Sequence, residues 1–429
     1  MATAFDAGRA EASIDGPSLP PAEVNRAPHP WDVGEPAIYV EDRWQPVFAD
    51  MRARSPINRI EGSHYGSYWN VAGYKPVMHV EALPEIYSSA SGITIIDEEM
   101  LDIPVEEQIQ LPMFIAMDRP KHTEERRVVA PAFTPAEMTR LEPDIRRRTG
   151  EILDGLPVGG RFDWVDRVSI ELTTQMLAIL FDFPWEDRRK LTFWSDWAGD
   201  VEAVRTEESR MERRRVLFEM GGYFRQLWDA RLEAGEAPDL LSRMIHSSMR
   251  DMSYEEFMGN LVLLIVGGND TTRNSMSGFA YGLSQFPDER TKLEANPALI
   301  PNAVQEMIRW QTPLAHMRRT ALVDHDLFGA PIKAGDKVLM WYLSANRDES
   351  VFERPDDIIL DRPNARRHLA FGYGIHRCVG ARLAELQLRI LLEEMAARRL
   401  RVHTVGEPDR VAACFVHGYR RMDAELERY

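Results

Sequence analysis

The sequence contains very little cysteine. Of its 429 residues only Cys378 and Cys414 are cysteines, so the chain is not a disulfide scaffold and fits a reducing compartment. The two do not have the CxxC spacing of a structural zinc site. A hydrophobic core must therefore stabilise the chain, and a hydrophobic fraction of 44% is ample for one.

Basic residues and long apolar runs are also scarce. Lys and Arg number 52 against 68 Asp and Glu, and the resulting net charge of −16 argues against a nucleic-acid partner. The strongest apolar run, residues 261–266, is far shorter than the ~20 residues of a membrane-spanning helix. The first residues lack the apolar core of a signal peptide. We therefore expect a cytoplasmic protein without a membrane anchor.

Glycine is concentrated around one of the two cysteines. In the stretch Phe371–Gly380, three glycines surround Cys378, and an amphipathic helix is predicted directly after it. Glycine suits a backbone that takes positive φ or lies against a ligand with no room for a side chain. The dipole of the following helix favours a thiolate at Cys378. Such a loop suits a sulfur ligand to the iron of a flat cofactor, which indicates oxygen chemistry.

A second polar motif follows an apolar helix. Residues 261–266 predict a buried helix, and Gly267, Gly268, Asp270 and Thr271 come soon after. Each glycine costs a helix roughly 1 kcal/mol relative to alanine, so we expect a flat ligand to approach them. The buried acid beside a hydroxyl indicates a proton relay at a widened helical turn. The alternative is a core helix in which Thr271 bonds back to its own turn.

Two pairs of charged residues have helical spacing. His122 and Arg126 stand one turn apart and could clamp a carboxylate, although a solvated basic face gives the same pattern. Glu306 and Arg309 also share a helix face, and on an exposed helix such a pair would contribute little. Neither pair identifies a function by itself.

The remaining patterns indicate a helical protein with a smaller β component. Residues 56–60 and 68–71 alternate like two strands joined by a turn at 61–63. Residues 168–180 and 213–232 have helical periodicity, and Pro184 is expected to end the first helix.

Two segments lack periodicity. Residues 1–30 are expected to form a flexible arm, which leaves residues 31–429 as a single domain. Residues 88–113 predict a long loop, and its isoleucines favour a substrate-enclosing role.

Taken in order, these motifs resemble those of the cytochrome P-450 monooxygenases. The resemblance extends from about His122 to Gly418, and residues 267–276, 313–320 and 415–422 are similar to the bacterial terminal alkane and fatty-acid hydroxylase branch. It implies a mainly α (α+β) fold, with a large helical region, a smaller β-rich lobe and haem b (iron protoporphyrin IX) between them. The implied reaction inserts one oxygen atom of O2 into the terminal C–H of a medium-chain alkane or fatty acid (omega-hydroxylation).

The resemblance also implies roles for individual residues. Cys378 would be the axial iron ligand, and Asp270 with Thr271 would deliver protons. The haem propionates would be held by His122, Arg126, Arg319 and His376. The cysteine loop would be braced by the buried residues Glu306, Arg309 and Arg362. The substrate channel would be lined by Ile95, Leu263, Val266, Gly267, Leu314, Ala315 and Phe415.

The same resemblance implies separate redox partners. No reductase domain is recognisable, so electrons are expected to come from a ferredoxin and its NAD(P)H-dependent ferredoxin reductase, acting on a monomer. Arg366, Arg367 and Arg377 flank the cysteine loop and could form a basic patch for an acidic ferredoxin.

Several alternatives stay open. Nothing in the sequence separates an alkane from a fatty acid, and a terpenoid or another hydrophobic molecule could be the substrate. A haem-binding sensor without turnover is a remote possibility, against which the Asp270–Thr271 pair argues. A cysteine hydrolase using Cys378 with His376 as base would be colourless.

Overall fold

The computed structural model describes residues 19–101, 111–199 and 206–429, and most of these residues are helical. Within these ranges the α-helices are α1 (Ala37–Val40), α2 (Trp44–Arg54), α3 (Tyr74–Ala82), α4 (Lys121–Val129), α5 (Pro135–Asp154), α6 (Glu171–Phe181), α7 (Arg189–Gly199), α8 (Glu207–Ala234), α9 (Leu240–Ile245), α10 (Tyr254–Gln285), α11 (Pro287–Ala295), α12 (Ile300–Gln311), α13 (Tyr342–Ala345) and α14 (Ala381–Ala397).

The strands form one larger sheet and three small ones. They are β1 (Glu23–Arg26), β2 (Ile57–Ser63), β3 (Gly66–Val71), β4 (Tyr87–Ser88), β5 (Arg161–Asp163), β6 (His316–Ala321), β7 (His325–Leu327), β8 (Ala330–Ile332), β9 (Lys337–Trp341), β10 (Leu400–Thr404), β11 (Asp409–Arg410), β12 (Tyr419–Arg421) and β13 (Asp423–Arg428). The larger sheet has the order β1-β2-β3-β9-β6-β4, and the others are β10-β13-β5, β11-β12 and β7-β8. The predicted mainly α fold with a smaller β-rich lobe is confirmed.

Part of the predicted flexible arm, residues 1–30, forms a strand. Residues 1–18 lie outside the described ranges. Residues 23–26, however, form β1 and pair in parallel with β2. The N–H of Glu23 also donates to Ser55 Oγ at 2.9 Å. Because these backbone groups find partners in the sheet, this part of the arm belongs to the folded domain.

The predicted helices are present, but their ends differ from the prediction. A π-helix at Val165–Ile170 precedes α6, so the helical path starts earlier than residue 168. The helix ends at Phe181, where Asp182 takes φ +47°, and not at Pro184. The segment predicted at 213–232 is part of the longer α8.

The predicted β-hairpin also differs in its turn. Strand β2 runs through Ser63, which pairs with Gly66, so the turn falls at residues 64–65 and not at 61–63. Gly62 has φ +73°, and the register shifts between Ile60 and Ser63. This irregularity lets the chain continue pairing beyond the predicted turn.

The longest helix, α10, crosses the middle of the helical region. It has 32 residues and begins with a capping box between Ser253 and Glu256. Its first half packs in one hydrophobic cluster with α6 and α8, and its second half packs in another with α12 and α14. None of the helices in the described part of the chain has both the length and the apolar character of a membrane span.

Candidate active site

The cysteine loop, Phe371–Gly380, immediately precedes α14. The N–H of Cys378 donates to the carbonyl of Phe371 at 2.8 Å and closes the loop. Gly372 and Gly374 have φ of +68° and +66°, a conformation that glycine adopts without strain. The side chain of Cys378 is accessible from a cavity that lies between the helical region and the β lobe.

Opposing effects act on the Cys378 thiol. Burial raises its pKa, whereas the N–H groups of Gly380 and Ala381 and the charges of Arg126 and Arg377 lower it. Burial is the largest effect and the pKa is raised overall, so the helix N-terminus alone does not make Cys378 a thiolate. Coordination to a metal ion deprotonates a thiol outright, and the donors around the sulfur would then stabilise the bound thiolate.

The cavity brings together most of the residues that were predicted to form the site. It encloses about 1430 Å³ of space free of protein atoms, including its opening to solvent. Nine predicted residues line it: His122, Arg126, Leu263, Gly267, Thr271, Leu314, Arg319, His376 and Cys378.

Five residues that were predicted to deliver protons or to line the substrate channel do not line this cavity, and helix geometry explains two of them. Leu263, Gly267 and Thr271 share one face of α10, since they are spaced by four residues. Val266 and Asp270 are spaced in the same way on the neighbouring face, which points towards Gly199 at the end of α7.

The other three residues pack in the β lobe. The N–H of Ala315 donates to the carbonyl of Phe415 at 2.9 Å, and Ala315 is fully buried beside Leu314, which does face the cavity. The ring of Phe415 lies 5.5 Å from that of His316. Ile95 is buried in a cluster around Tyr65 and is thereby withdrawn from the cavity.

Two histidines stand in contact at the edge of the cavity. The ring centroids of His122 and His376 are 4.2 Å apart. Both ring nitrogens of His122 and Nδ1 of His376 are buried without a hydrogen-bond partner among the described residues. Burial, together with nearby arginines, lowers the pKa of His122 to about 4 and that of His376 to about 2. Both imidazoles are therefore neutral at pH 7 in this arrangement.

Two arginines lie beside these histidines, and together the four residues form what we call the cationic rim of the cavity. Arg319 is almost fully buried, and its Nη2 lies 3.6 Å from Glu81 Oε1. Arg126 donates to the carbonyl of Arg377 in the cysteine loop, and burial lowers its pKa. Among the described lining residues, Glu81 is the one carboxylate that faces these groups.

The residues present fit a haem. The thiol of Cys378, two arginines and two histidines with unused nitrogens converge on one cavity, and the buried histidine nitrogens need partners. The two carboxylates of a porphyrin would supply those partners as charge-assisted hydrogen bonds. Haem held by Cys378 would supply the activation of dioxygen.

The proposed proton-relay residues are separated in the structure. Thr271 lines the cavity, but its hydroxyl donates to the carbonyl of Gly267 at 2.8 Å, and α10 is unbroken there. The widened turn expected from the sequence is therefore absent from this described helix. Asp270 is buried outside the cavity, and its Oδ1 accepts from Ser195 Oγ and Arg273 Nη2, each at 3.0 Å.

The three residues expected to brace the loop are in direct contact. Arg309 Nε donates to Glu306 Oε2 at 2.8 Å, and Arg362 Nε donates to the same carboxylate at 3.0 Å. All three side chains are buried. Arg309 also donates to the carbonyls of Asn346 and Pro355, at 2.8 and 2.7 Å, which fixes the chain that leads to the cysteine loop.

Sequence reasoning missed several residues of the site. Glu81 and Tyr342 line the cavity, as do Phe114 and Met317. The one available signal was Glu81, an acid within the otherwise apolar spacing of α3. Phe114 and Tyr342 carry no local motif, and Met317 lies in the stretch 313–320 without being singled out there.

Comparisons with known proteins agree with this geometry. The family model for cytochrome P450 matches residues 223–405. The solved structure of cytochrome P450-153 from Novosphingobium aromaticivorans is 63% identical, with a TM-score of 0.88 over 93% of this chain and 100% of that one. A linalool 8-monooxygenase of Pseudomonas putida is 33% identical over 92% of this chain and 98% of its own length. A methyl-branched lipid omega-hydroxylase of Mycobacterium bovis is 31% identical over 88% and 89%, respectively.

A cysteine thiol that faces a haem-sized cavity with a cationic rim defines a haem-thiolate protein. The chain belongs to the cytochrome P450 family, and it is an oxidoreductase of the monooxygenase type. The cysteine-hydrolase alternative is thereby set aside.

Replacement of Thr271 tests its predicted role in proton delivery. We expect Thr271→Ala to keep the haem-thiolate spectrum and to release more hydrogen peroxide per NADH consumed, because the cavity loses a hydroxyl able to hold water. Thr271→Ser, which keeps the hydroxyl, should behave like the natural protein. Equal peroxide yields from the alanine variant and the natural protein would remove Thr271 from the relay.

Proposed function

We propose that the protein hydroxylates the terminal carbon of a medium-chain alkane or fatty acid, using O2 and electrons from a ferredoxin and its reductase. The observation that carries this proposal is the apolar lining of the cavity opposite the cysteine loop. Leu177, Leu263, Leu264, Leu314 and Met317 line it.

The charge of the cavity supports an alkane over a fatty acid. Within the described ranges, the cations that line the cavity are Arg126 and Arg319 of the rim, since the two histidines are neutral at pH 7. The rim would be occupied by the haem propionates. A substrate carboxylate would then meet no further cation among the described residues that line the cavity, and burying an unpaired charge is costly.

Burial of the hydrocarbon supplies the binding energy. An eight-carbon chain buried at ~0.8 kcal/mol per methylene gives ~6 kcal/mol before the costs of association. The terminal methyl C–H is stronger than the adjacent methylene C–H, so the protein has to orient the chain. Each tenfold preference for the terminus needs a barrier difference of about 1.4 kcal/mol, which a narrow channel that admits only the methyl end can supply.

A terpenoid is the second candidate substrate, because one relative is a linalool 8-monooxygenase. The omega-hydroxylase relative supports terminal attack on a chain. Both candidates are neutral or largely apolar molecules, so the cavity lining alone does not separate them.

We infer that the cofactor is haem b. Covalent attachment of a c-type haem needs a C-x-x-C-H motif, and neither Cys378 nor Cys414 belongs to one. The cavity holds a single cysteine, which the thiolate ligand role already uses.

Product analysis tests the substrate proposal. The purified enzyme, with a ferredoxin and its reductase, is given octane, octanoic acid and linalool separately, and the alcohols are identified. We expect 1-octanol as the main product, with weaker turnover of the acid because its carboxylate must be desolvated. Turnover of linalool alone would contradict the proposal. So would octanols that carry the hydroxyl group mainly on an internal carbon.

A matched pair of glycine variants links the result to this cavity. A Cβ added at Gly267 meets no protein atom within 4 Å, because Gly267 faces the cavity, and the same holds for Gly222 on the exposed side of α8. Each Gly→Ala change should stabilise its helix by about 1 kcal/mol. We expect Gly267→Ala alone to change the ratio of terminal to internal alcohol, by roughly fivefold for a 1 kcal/mol difference in barrier.

The electron donor should dock on the cysteine-loop side. Arg366, Arg367 and Arg377 are exposed there, and none forms an ion pair with a carboxylate of the described chain. An acidic ferredoxin would complement this local basic patch on an otherwise acidic protein. We expect the ferredoxin-dependent reduction rate to fall as ionic strength rises, since salt screens exposed charges. A rate insensitive to salt, or unchanged in Arg366→Gln/Arg367→Gln, would contradict this docking site.

A further inference from the structure

Glu81 occupies an unusual position for an acidic residue. It lies near the end of α3, its side chain is 2% exposed, and it is the one carboxylate among the described residues that line the cavity. Burial raises the pKa of this carboxyl group, while its hydrogen bonds and Arg319 oppose that rise. A buried carboxylate is costly unless it is paired, so its partners indicate its role.

Three elements converge on the Glu81 carboxylate. Its Oε1 accepts a hydrogen bond from the hydroxyl of Tyr342 in α13 and lies 3.6 Å from Nη2 of Arg319 in β6. Its Oε2 accepts from the backbone N–H of Tyr373 in the cysteine loop. One side chain therefore joins the loop that carries Cys378 to an arginine of the cationic rim.

Two glycines of the cysteine loop pack closely against Glu81. A Cβ at Gly374 would lie 2.2 Å from the carbonyl oxygen of Glu81, and one at Gly372 would lie 3.3 Å from its Oε2. Both glycines also need positive φ. Close packing on Glu81, and not only on a cofactor, therefore explains why this loop requires glycine at both positions.

We propose that Glu81 is a positioning residue that holds the cysteine loop in place for iron ligation and, through Arg319, adjusts the charge felt by the haem. The loop contact keeps the backbone around Cys378 in one conformation. The negative charge of Glu81 partly neutralises Arg319 and opposes reduction of the haem. The proposal rests on membership of the haem-thiolate family and is independent of the proposed substrate.

The test uses Glu81→Gln in the full-length, haem-loaded protein without substrate. Glutamine has the same size and keeps one acceptor oxygen, but it loses the charge. We expect a more positive haem reduction potential, because a negative charge beside the haem is removed. We also expect haem transfer to apomyoglobin to be about tenfold faster, and a larger share of the reduced carbon-monoxide complex to lack the thiolate spectrum.

Asp348→Asn is the matched control. Asp348 accepts the N–H of Tyr74 at 2.8 Å, so it caps the other end of α3 without lining the cavity. We expect this variant to lower thermal stability and to leave the reduction potential and the thiolate spectrum unchanged. Equal changes in both variants would assign the effect to the stability of α3 and overturn the proposal.

Tyr342→Phe is the second variant and serves if Glu81→Gln does not yield folded protein. It removes one donor to Glu81 but keeps the carboxylate and its contact with Tyr373. We expect faster haem transfer than in the natural protein. The proposal would be overturned if Glu81→Gln had the haem-transfer rate and reduction potential of the natural protein, or if Tyr342→Phe had its haem-transfer rate. None of these measurements depends on which substrate the enzyme takes.

Discussion

Buried carboxylates hold the cysteine loop, and the rest of the site depends on them. Glu306 accepts from Arg309 and Arg362 beneath the chain that leads to the loop, and it also accepts the N–H of Ile359 at 2.9 Å. Glu81 accepts from the loop itself. In a dry interior each carboxylate must keep all its donors, because loss of one partner leaves a charge uncompensated at a cost of about 3–5 kcal/mol. The hydrogen bonds to these carboxylates therefore favour one conformation of the backbone around Cys378.

The same interior has the opposite charge balance from the protein as a whole. The chain carries a net charge of −16, yet among the described residues that line the cavity two arginines face one acid, Glu81. Burial is the main cause of the low pKa values of His122 and His376, about 4 and about 2, and the neighbouring arginines lower them further. A ligand that brings two carboxylates would compensate the charge of these arginines, as the propionates of a haem would if they bound here.

Sequence motifs identified the residues of the site, but they predicted the contacts between these residues less well. Cys378, His122 and Thr271 were found because each lies in a short pattern whose spacing has a physical meaning, whereas Arg319 followed only from the family resemblance. Helical spacing also puts Gly267 and Thr271 on one face of α10 and Val266 and Asp270 on the next. The spacing alone therefore indicates that Val266 and Asp270 do not share the cavity face with Thr271.

Other features depend on tertiary packing and could not be predicted. Phe415 and Ala315 pair through their backbones; Ala315 is buried in the β lobe, and Phe415 packs against it partly buried. Burial outweighs the helix dipole at the Cys378 thiol, which no local pattern reveals. Glu81 comes close to the cysteine loop only when residues 292 apart in sequence are folded together. Its burial, and therefore its importance, is a property of the fold.

The bond between the sulfur of Cys378 and a haem iron is the centre of this account, and the absorption spectrum of the reduced protein under carbon monoxide tests it most directly. We expect the long-wavelength Soret band of a thiolate-ligated haem in the natural protein and its loss in Cys378→Ala. A natural protein that binds no haem, or whose carbon-monoxide complex has the shorter-wavelength band of nitrogen ligation, would contradict it.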